Sequence, residues 1–291
     1  MKLRIVHQTE YLYTEPVSVS HHMAHLVPRN SGSQTCLTRE LTISPEPAIR
    51  RERVDSFGNR CVYFSIQEPH SRLVVLSKAL VDVLPAEQSL PFSGQAWNVV
   101  RQRLATEHRP DILSAYGFVF PSPYAVHAPG LAEYARPSFA EGRPLLETVA
   151  DLTKRIYQDF KYDPTSTTVS TPVGEVLRLR RGVCQDFAHL QIACLRTHGL
   201  AARYVSGYLL TKPPPGQARL VGADASHAWL SVFVPEFGWV DFDPTNNVVP
   251  GEEHVQVAVG RDFGDVAPVR GVILGGGQHR VIVSVDVEPL T

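Results

Sequence analysis

With 291 residues and 43% hydrophobic content, the chain can bury enough apolar surface for two compact units, which excludes a disordered or fibrous protein. Lysine and arginine number 28 against 29 acidic residues, a formal net charge of -1. No global field therefore favours nucleic acid, and any charged partner has to be sought locally.

The opening Met1-Lys2-Leu3-Arg4-Ile5 reaches Gln8, Thr9 and Glu10 too soon for the apolar segment of a secretory signal. No apolar run is long enough to cross a bilayer, so a cytoplasmic protein without a membrane partner is expected. Alternation at Leu3, Ile5, Thr9, Tyr11 and Tyr13, at Leu37, Leu41 and Ile43, and at Val62, Phe64 and Ile66 predicts half-buried strands. A turn over Asp55 to Arg60, containing Gly58-Asn59, precedes the last set. Residues 1–90 thus read as a β-rich, sandwich-like N-terminal domain. His21, His22 and His25 have no carboxylate or cysteine at metal-binding spacing and read as ordinary surface or core residues.

Residues 91–291 read as a helical linker followed by a mixed core and a C-terminal β-hairpin. Trp97, Val100 and Leu104 share one helical face; Leu145, Val149, Leu152 and Ile156 share another, starting just after Pro144. Five prolines between Arg109 and Pro144 (Pro110, Pro121, Pro123, Pro129 and Pro137) exclude a long helix there. A short helix is predicted after Thr171-Pro172, ending near Arg180-Arg181-Gly182. A longer one begins around Val183-Cys184 and stops near His198-Gly199, burying Phe187, Leu190, Cys194 and Leu195. Past it, Arg261, Asp262 and Asp265 either reach a site or brace the return to the final strands, where Val281, Val283, Val285 and Val287 alternate after Gly275-Gly276-Gly277.

Four cysteines, Cys36, Cys61, Cys184 and Cys194, are few and widely spaced, which suits reduced thiols better than a disulfide framework. Cys36 and Cys61 lie in strand-like segments that could pair. Only Cys184 falls in the first turn of a helix. Unpaired N–H groups and the positive end of the macrodipole stabilise a thiolate there, and Arg178, Arg180 and Arg181 add positive potential just upstream. Gly182 lets the backbone turn sharply and a substrate approach.

A nucleophilic thiol needs a base. Ala225 to Val234 reads as a strand carrying His227, and Trp239-Val240-Asp241-Phe242-Asp243 reads as its hairpin partner. If Val234 pairs with Trp239, Asp243 falls on the wrong face for His227. If Val234 pairs with Gly238, Asp243 becomes a same-face diagonal neighbour of His227, so the shorter loop or an equivalent bulge is predicted. On spacing alone Asp224, Asp241 and Asp186 compete for the carboxylate role, and His189 for that of the base.

Four ordered blocks carry a resemblance: Gly182-Val183-Cys184-Gln185-Asp186-Phe187-Ala188-His189, Ala202-Arg203-Tyr204-Val205-Ser206-Gly207-Tyr208, Asp224-Ala225-Ser226-His227-Ala228-Trp229, and Gly238 through Asp243-Pro244-Thr245-Asn246. The chain resembles the bacterial transglutaminase-like superfamily, strongly over residues 150 to 270. The resemblance implies an α+β fold, a papain-like core with the cysteine-bearing helix packed on an antiparallel sheet. It also implies a catalytic set of Cys184, His227 and Asp243, with Asp243 chosen over Asp241 because it precedes Pro244-Thr245. It implies thiol-dependent acyl transfer on a peptide or protein amide, without an organic cofactor or metal. Hydrolysis is expected ahead of amine transfer, and a non-catalytic binding module is the remaining alternative. Papain-like proteases place a glutamine shortly before the cysteine, and Arg178 to Gly182 holds none. The Cys184 amide is then the expected oxyanion donor, with Tyr162 as a second. Gln185, Tyr208 and Trp229 complete the expected substrate-binding set.

Overall fold

The computed structural model describes residues 1–85, 92–211 and 226–290. Strands β1 (Lys2–Ala24), β2 (Gln34–Ser44), β3 (Ile49–Val54), β4 (Arg60–Ile66) and β5 (His70–Val83) run antiparallel in the order β2-β5-β1-β4-β3. The register of β1 against β5 breaks between Leu12 and Val17, so its two halves keep different neighbours. The sandwich-like layering expected of this region comes from one sheet that encloses its own core, built on Val17, Phe64, Ile66, Leu73 and Val75.

Helices α1 (Trp97–Thr106), α2 (Pro110–Tyr116), α3 (Leu131–Ala135) and α4 (Leu145–Asp159) follow, the proline-rich stretch holding the two short ones and a 3-10 turn at Arg136–Ser138. Next come the two-residue strand β6 (Lys161–Tyr162), helix α5 (Val173–Leu179), the equally short β7 (Arg181–Gly182) and helix α6 (Cys184–Thr197). Gly199, at a φ of 75°, closes α6 in the left-handed conformation that favours glycine.

Helix α6 packs on a second antiparallel sheet, β8 (Ala202–Leu209), β9 (Ser226–Val234), β10 (Gly238–Phe242) and β11 (His254–Gly260), ordered β10-β9-β8-β11. Ala228, Leu230 and Val232 of β9 share its core with Leu190 and Ala193 of α6. The β9–β10 register is the shorter one, Val234 opposite Gly238. The turn is pinned locally: Gly238 has a φ of 101°, and Glu236, itself left-handed at 67°, accepts hydrogen bonds from Arg103 and Arg109. Asp224 and Ala225 lie outside the described residues.

A short helix α7 (Phe263–Val266) leads into β12 (Val269–Gly275) and β13 (His279–Leu290). Here the sequence reading needs correction, because this C-terminal hairpin joins the first sheet rather than the second unit. Strand β12 pairs with Val17–Ala24 of β1, and β13 pairs with Lys2–Tyr13. The reason is that β1 spans 23 residues and needs partners along both edges, while Val285 and Val287 bury against the core that holds Leu3 and Ile5. Arg261, Asp262 and Asp265 brace that return. Asp262 caps α7 through Gly264 N and accepts from Tyr124 N, and Arg261 pairs with Asp265 at 2.9 Å. Among the described residues no helix is long and apolar enough to cross a membrane.

Candidate active site

The first turn of α6 is built by Asp186. Its Oδ2 accepts from the Val183 amide at 2.8 Å and from Thr167 Oγ1 at 2.7 Å, satisfying one of the donors a helix start leaves open. The carboxylate lies so close over Gly182 that a Cβ there would stand 2.6 Å from Oδ2. Glycine is thus required by Asp186, a tighter reason than the sharp turn inferred from sequence. Cys184 follows, partly exposed at the first helical position.

The upstream arginines, expected to lend this thiol positive potential, are engaged elsewhere. Arg178 pairs with Glu175, Arg181 lies 3.7 Å from Asp163, and Arg180 covers the rings of Tyr134 and Phe160 at 4.5 and 4.8 Å. Each has a carboxylate within 4.0 Å, Asp159 in the case of Arg180, which offsets the charge expected to act on the thiol. The helix end and the histidine are the groups left to act on the thiol.

His227 sits on β9 opposite Gly207 of β8. A Cβ on Gly207 would stand 2.4 Å from the Trp229 ring and 2.1 Å from the Val255 carbonyl, so this glycine lets Trp229 lie flat against β8. The Trp229 ring in turn lies 5.9 Å from the His227 imidazole, between centroids.

Asp243, fully buried just beyond β10, receives a convergent set of donors. Its Oδ2 takes His227 Nε2 at 2.8 Å, Asn246 Nδ2 at 2.7 Å and His254 Nε2 at 3.2 Å, and its Oδ1 takes the Thr245 and Asn246 amides at 2.9 and 3.3 Å. Burial alone would raise this carboxyl, yet the bonds from His227 and His254, the imidazole charge and Asn246 outweigh it and hold it well below the usual carboxylate range. Burial lowers His227, but hydrogen bonds to Asp243 and then to the Cys184 thiol reverse that and raise it to about 10. With Nε2 on Asp243, Nδ1 is the ring nitrogen left for Cys184.

Asn246 and His254 were not singled out from the sequence. Asn246 closes the Asp-Pro-Thr-Asn turn, a local signal that could have found it. His254 comes from β11, at the far edge of the sheet order, and only the curvature of the fold delivers it. His227, Asp243 and His254 offer ligand atoms within 4.8 Å of one another. A cation could enter only by displacing the protons that already bridge both imidazoles to Asp243.

The remaining expected site residues divide. Tyr162 lies beside the thiol: β6 pairs with β7 at Tyr162 and Gly182, the residue is 54% exposed, and burial first and the Cys184 charge second raise its hydroxyl. Gln185 turns its amide to the Val169 carbonyl at 3.1 Å. Tyr208 and Trp229, expected along the cleft, are 2% and 0% exposed. Tyr208 hydrogen-bonds His7 of the first sheet at 2.9 Å, and Trp229 gives its indole N–H to Asp241 at 2.8 Å. Neither has surface for a substrate, which corrects that reading: aromatic rings on central strands are core.

Among the described residues, the competitors fall away on geometry. Asp241 is committed to Trp229, Ser231 and Gln256. His189 is buried against Tyr204 and Tyr124, accepts the Phe263 amide, and is pushed down to about 3 by burial. All four thiols are free; burial pushes Cys194 up to about 12 and also raises Cys36.

Comparison with known proteins places the chain by family and fold. Residues 3–82 match the bacterial transglutaminase-like N-terminal region, and residues 132–244 match the transglutaminase-like superfamily. Uncharacterized protein Rv2569c of Mycobacterium tuberculosis is 46% identical over 301 residues, covering 99% of this chain and 93% of that protein. A protein-glutamine gamma-glutamyltransferase of Pseudomonas aeruginosa is 34% identical over 107 residues, 34% of this chain and 16% of that enzyme. The crystal structure described as a "Putative Cysteine Protease" from Cytophaga hutchinsonii superposes with a TM-score of 0.76 at 24% identity, covering all of this chain and 91% of that one, a likeness of fold.

Proposed function

The chain belongs to the transglutaminase-like superfamily, and from that membership we propose that it hydrolyses peptide or isopeptide amides through an acyl-enzyme on Cys184. The observation that carries this reading is the position of His227, bonded to Asp243 through one ring nitrogen and interacting with the Cys184 thiol through its other side. An imidazole raised to about 10 is protonated at neutral pH and holds its charge and a transferable proton beside the sulfur.

The thiolate sulfur attacks the amide carbonyl carbon, and the carbonyl electron pair moves to oxygen. The Cys184 N–H, at a helix position with no intrahelical acceptor, is the donor assigned to that oxyanion, with the Tyr162 hydroxyl as a second; one such donor is worth about a hundred- to a thousandfold in turnover. Collapse breaks the C–N bond, and His227 Nδ1 gives its proton to the departing amine. The neutral imidazole then takes a proton from water, which attacks the thioester, releases a free acid and regenerates the thiolate–imidazolium pair. Asp243 fixes the ring and steadies its charged form throughout.

A second reading, attack by an amine in place of water, is favoured by the match to the Pseudomonas gamma-glutamyltransferase. Both readings share the first half-reaction. Incubation with a mixed peptide library and isotope-labelled amines, followed by mass measurement, separates them: free acid supports hydrolysis, and a labelled amide supports transfer. Cys184→Ala is expected to abolish both products. Full turnover by that variant would sink the assignment, and no product from the wild type would leave a binding module.

A further inference from the structure

The face of the core sheet turned away from α6 packs against the first sheet through polar contacts. Gln34 exchanges two hydrogen bonds with the Gln256 backbone, and Asn59 does the same with Val259. Where this seam opens there is a cavity of about 660 Å³, within the size range of small-molecule sites. Arg29 enters from the first layer and Arg203 from β8, while Phe237, Val249 and Pro250 line an apolar wall.

The two arginines are under-partnered. Arg203 makes no hydrogen bond and no ion pair among the described residues; its guanidinium lies over the Trp239 ring at 4.3 Å, and its Nε is enclosed without an acceptor. Arg29 gives one bond to Asn59 Oδ1 at 3.2 Å, and its Nε is likewise enclosed and unpartnered. Asp241 is the one carboxylate among the described lining residues, and Trp229, Ser231 and Gln256 already occupy its oxygens. Burial pushes Arg203 down to about 9, with Asp241 raising it and Arg29 lowering it further, so the two cations act on each other across the cavity. A guanidinium remains charged at neutral pH, and enclosing one without an acceptor is costly unless an anion completes it.

We propose that this cavity is a binding site for a small organic anion, whose carboxylate or phosphate head sits between Arg203 and Arg29 and whose apolar body lies on Phe237, Val249 and Pro250. Planar guanidinium forks suit either head group, and the wall beside them rewards an apolar substituent over a bare ion. The site is separate from the thiol chemistry, so its test does not depend on that chemistry.

Isothermal titration of the full chain with phenylacetate, inorganic phosphate and the uncharged phenylacetamide is the experiment. Saturable binding of phenylacetate or of phosphate, without binding of the amide, is expected, and the stronger of the two identifies the head group. Arg203→Met and Arg29→Gln should each weaken that binding by at least about tenfold. Because Arg203 lacks an acceptor, Arg203→Met should unfold at a temperature no lower than the anion-free wild type, whereas the anion that binds should raise the wild-type midpoint alone. Equal binding of amide and carboxylate, anion binding unchanged in both variants, or no binding of either anion would overturn the proposal.

Discussion

Asp241, within β10, and Asp243, just past its end, stand two residues apart, and the fold gives them different work. Asp241 faces the seam between the sheets, holding Trp229 Nε1, Ser231 Oγ and Gln256 Nε2. Asp243 lies one residue beyond β10, where two imidazoles and Asn246 converge on one oxygen. The first carboxylate ties strands together; the second sets the charge state of a ring that touches the thiol. Identical side chains two residues apart are thus separated by what the neighbouring elements bring to each.

The sharpest way to break this comparison is Asp243→Asn. Turnover should fall by about a hundred- to ten-thousandfold, because the amide no longer fixes the charged imidazole. Its signature is the pH profile: the alkaline limb, set in the wild type by the imidazole raised to about 10, should move to lower pH. An unmoved limb would detach Asp243 from His227. Stability should follow the same pair. His227 is raised above its ordinary 6.5, so its contribution is complete below 6.5 and is lost as pH climbs through about 10. Asp243 is depressed below its ordinary 3.8, so its contribution is complete above 3.8 and is lost as pH falls towards its folded-state value. Denaturant midpoints should therefore show both contributions in full between 3.8 and 6.5, and Asp243→Asn should flatten that profile.

Asp241→Asn should do the reverse. Three donors lose a charged acceptor, so unfolding free energy should drop by about 1–3 kcal/mol while the pH limb stays in place. A shifted limb with unchanged stability would erase the distinction between the two carboxylates. Gly182→Ala should destabilise by a comparable amount, about 1–3 kcal/mol, through the contact with Asp186, measurable as a lower urea midpoint. The smallest effect is expected from His254→Phe. One of five bonds to Asp243 is lost, costing turnover less than about tenfold, and the His254 Nδ1, buried without a partner, is removed with it. A loss as large as that of Asp243→Asn would make His254 an equal member of the site.

Much of the fold was legible because the relevant signals are local. The 3.6-residue period over 145–156 and the Pro144 start match α4, and the exit at Gly199 matches the end of α6. The hairpin register followed from requiring His227 and Asp243 on one face, and Gly238 supplies the left-handed turn that enforces it. The same local logic went wrong where charge or ring chemistry depends on distant partners. Arg178, Arg180 and Arg181 read as a field on Cys184, yet Glu175, Tyr134, Phe160 and Asp163 take them up. Tyr208 and Trp229 read as cleft residues, yet His7 and Asp241 close over them.

By itself, then, the sequence determined the helix that starts at Cys184, the strand that carries His227 and the short loop that returns Asp243, since backbone periodicity, glycine and proline act within a few residues. Tertiary structure alone decided that β12 and β13 complete the first sheet, that His254 reaches Asp243 from β11, and that Arg29 meets Arg203 across the seam. Those pairings join residues up to 288 positions apart, as Lys2 with Leu290, and a hydrogen-bond donor or a charge carries no mark in the sequence of which distant acceptor will satisfy it.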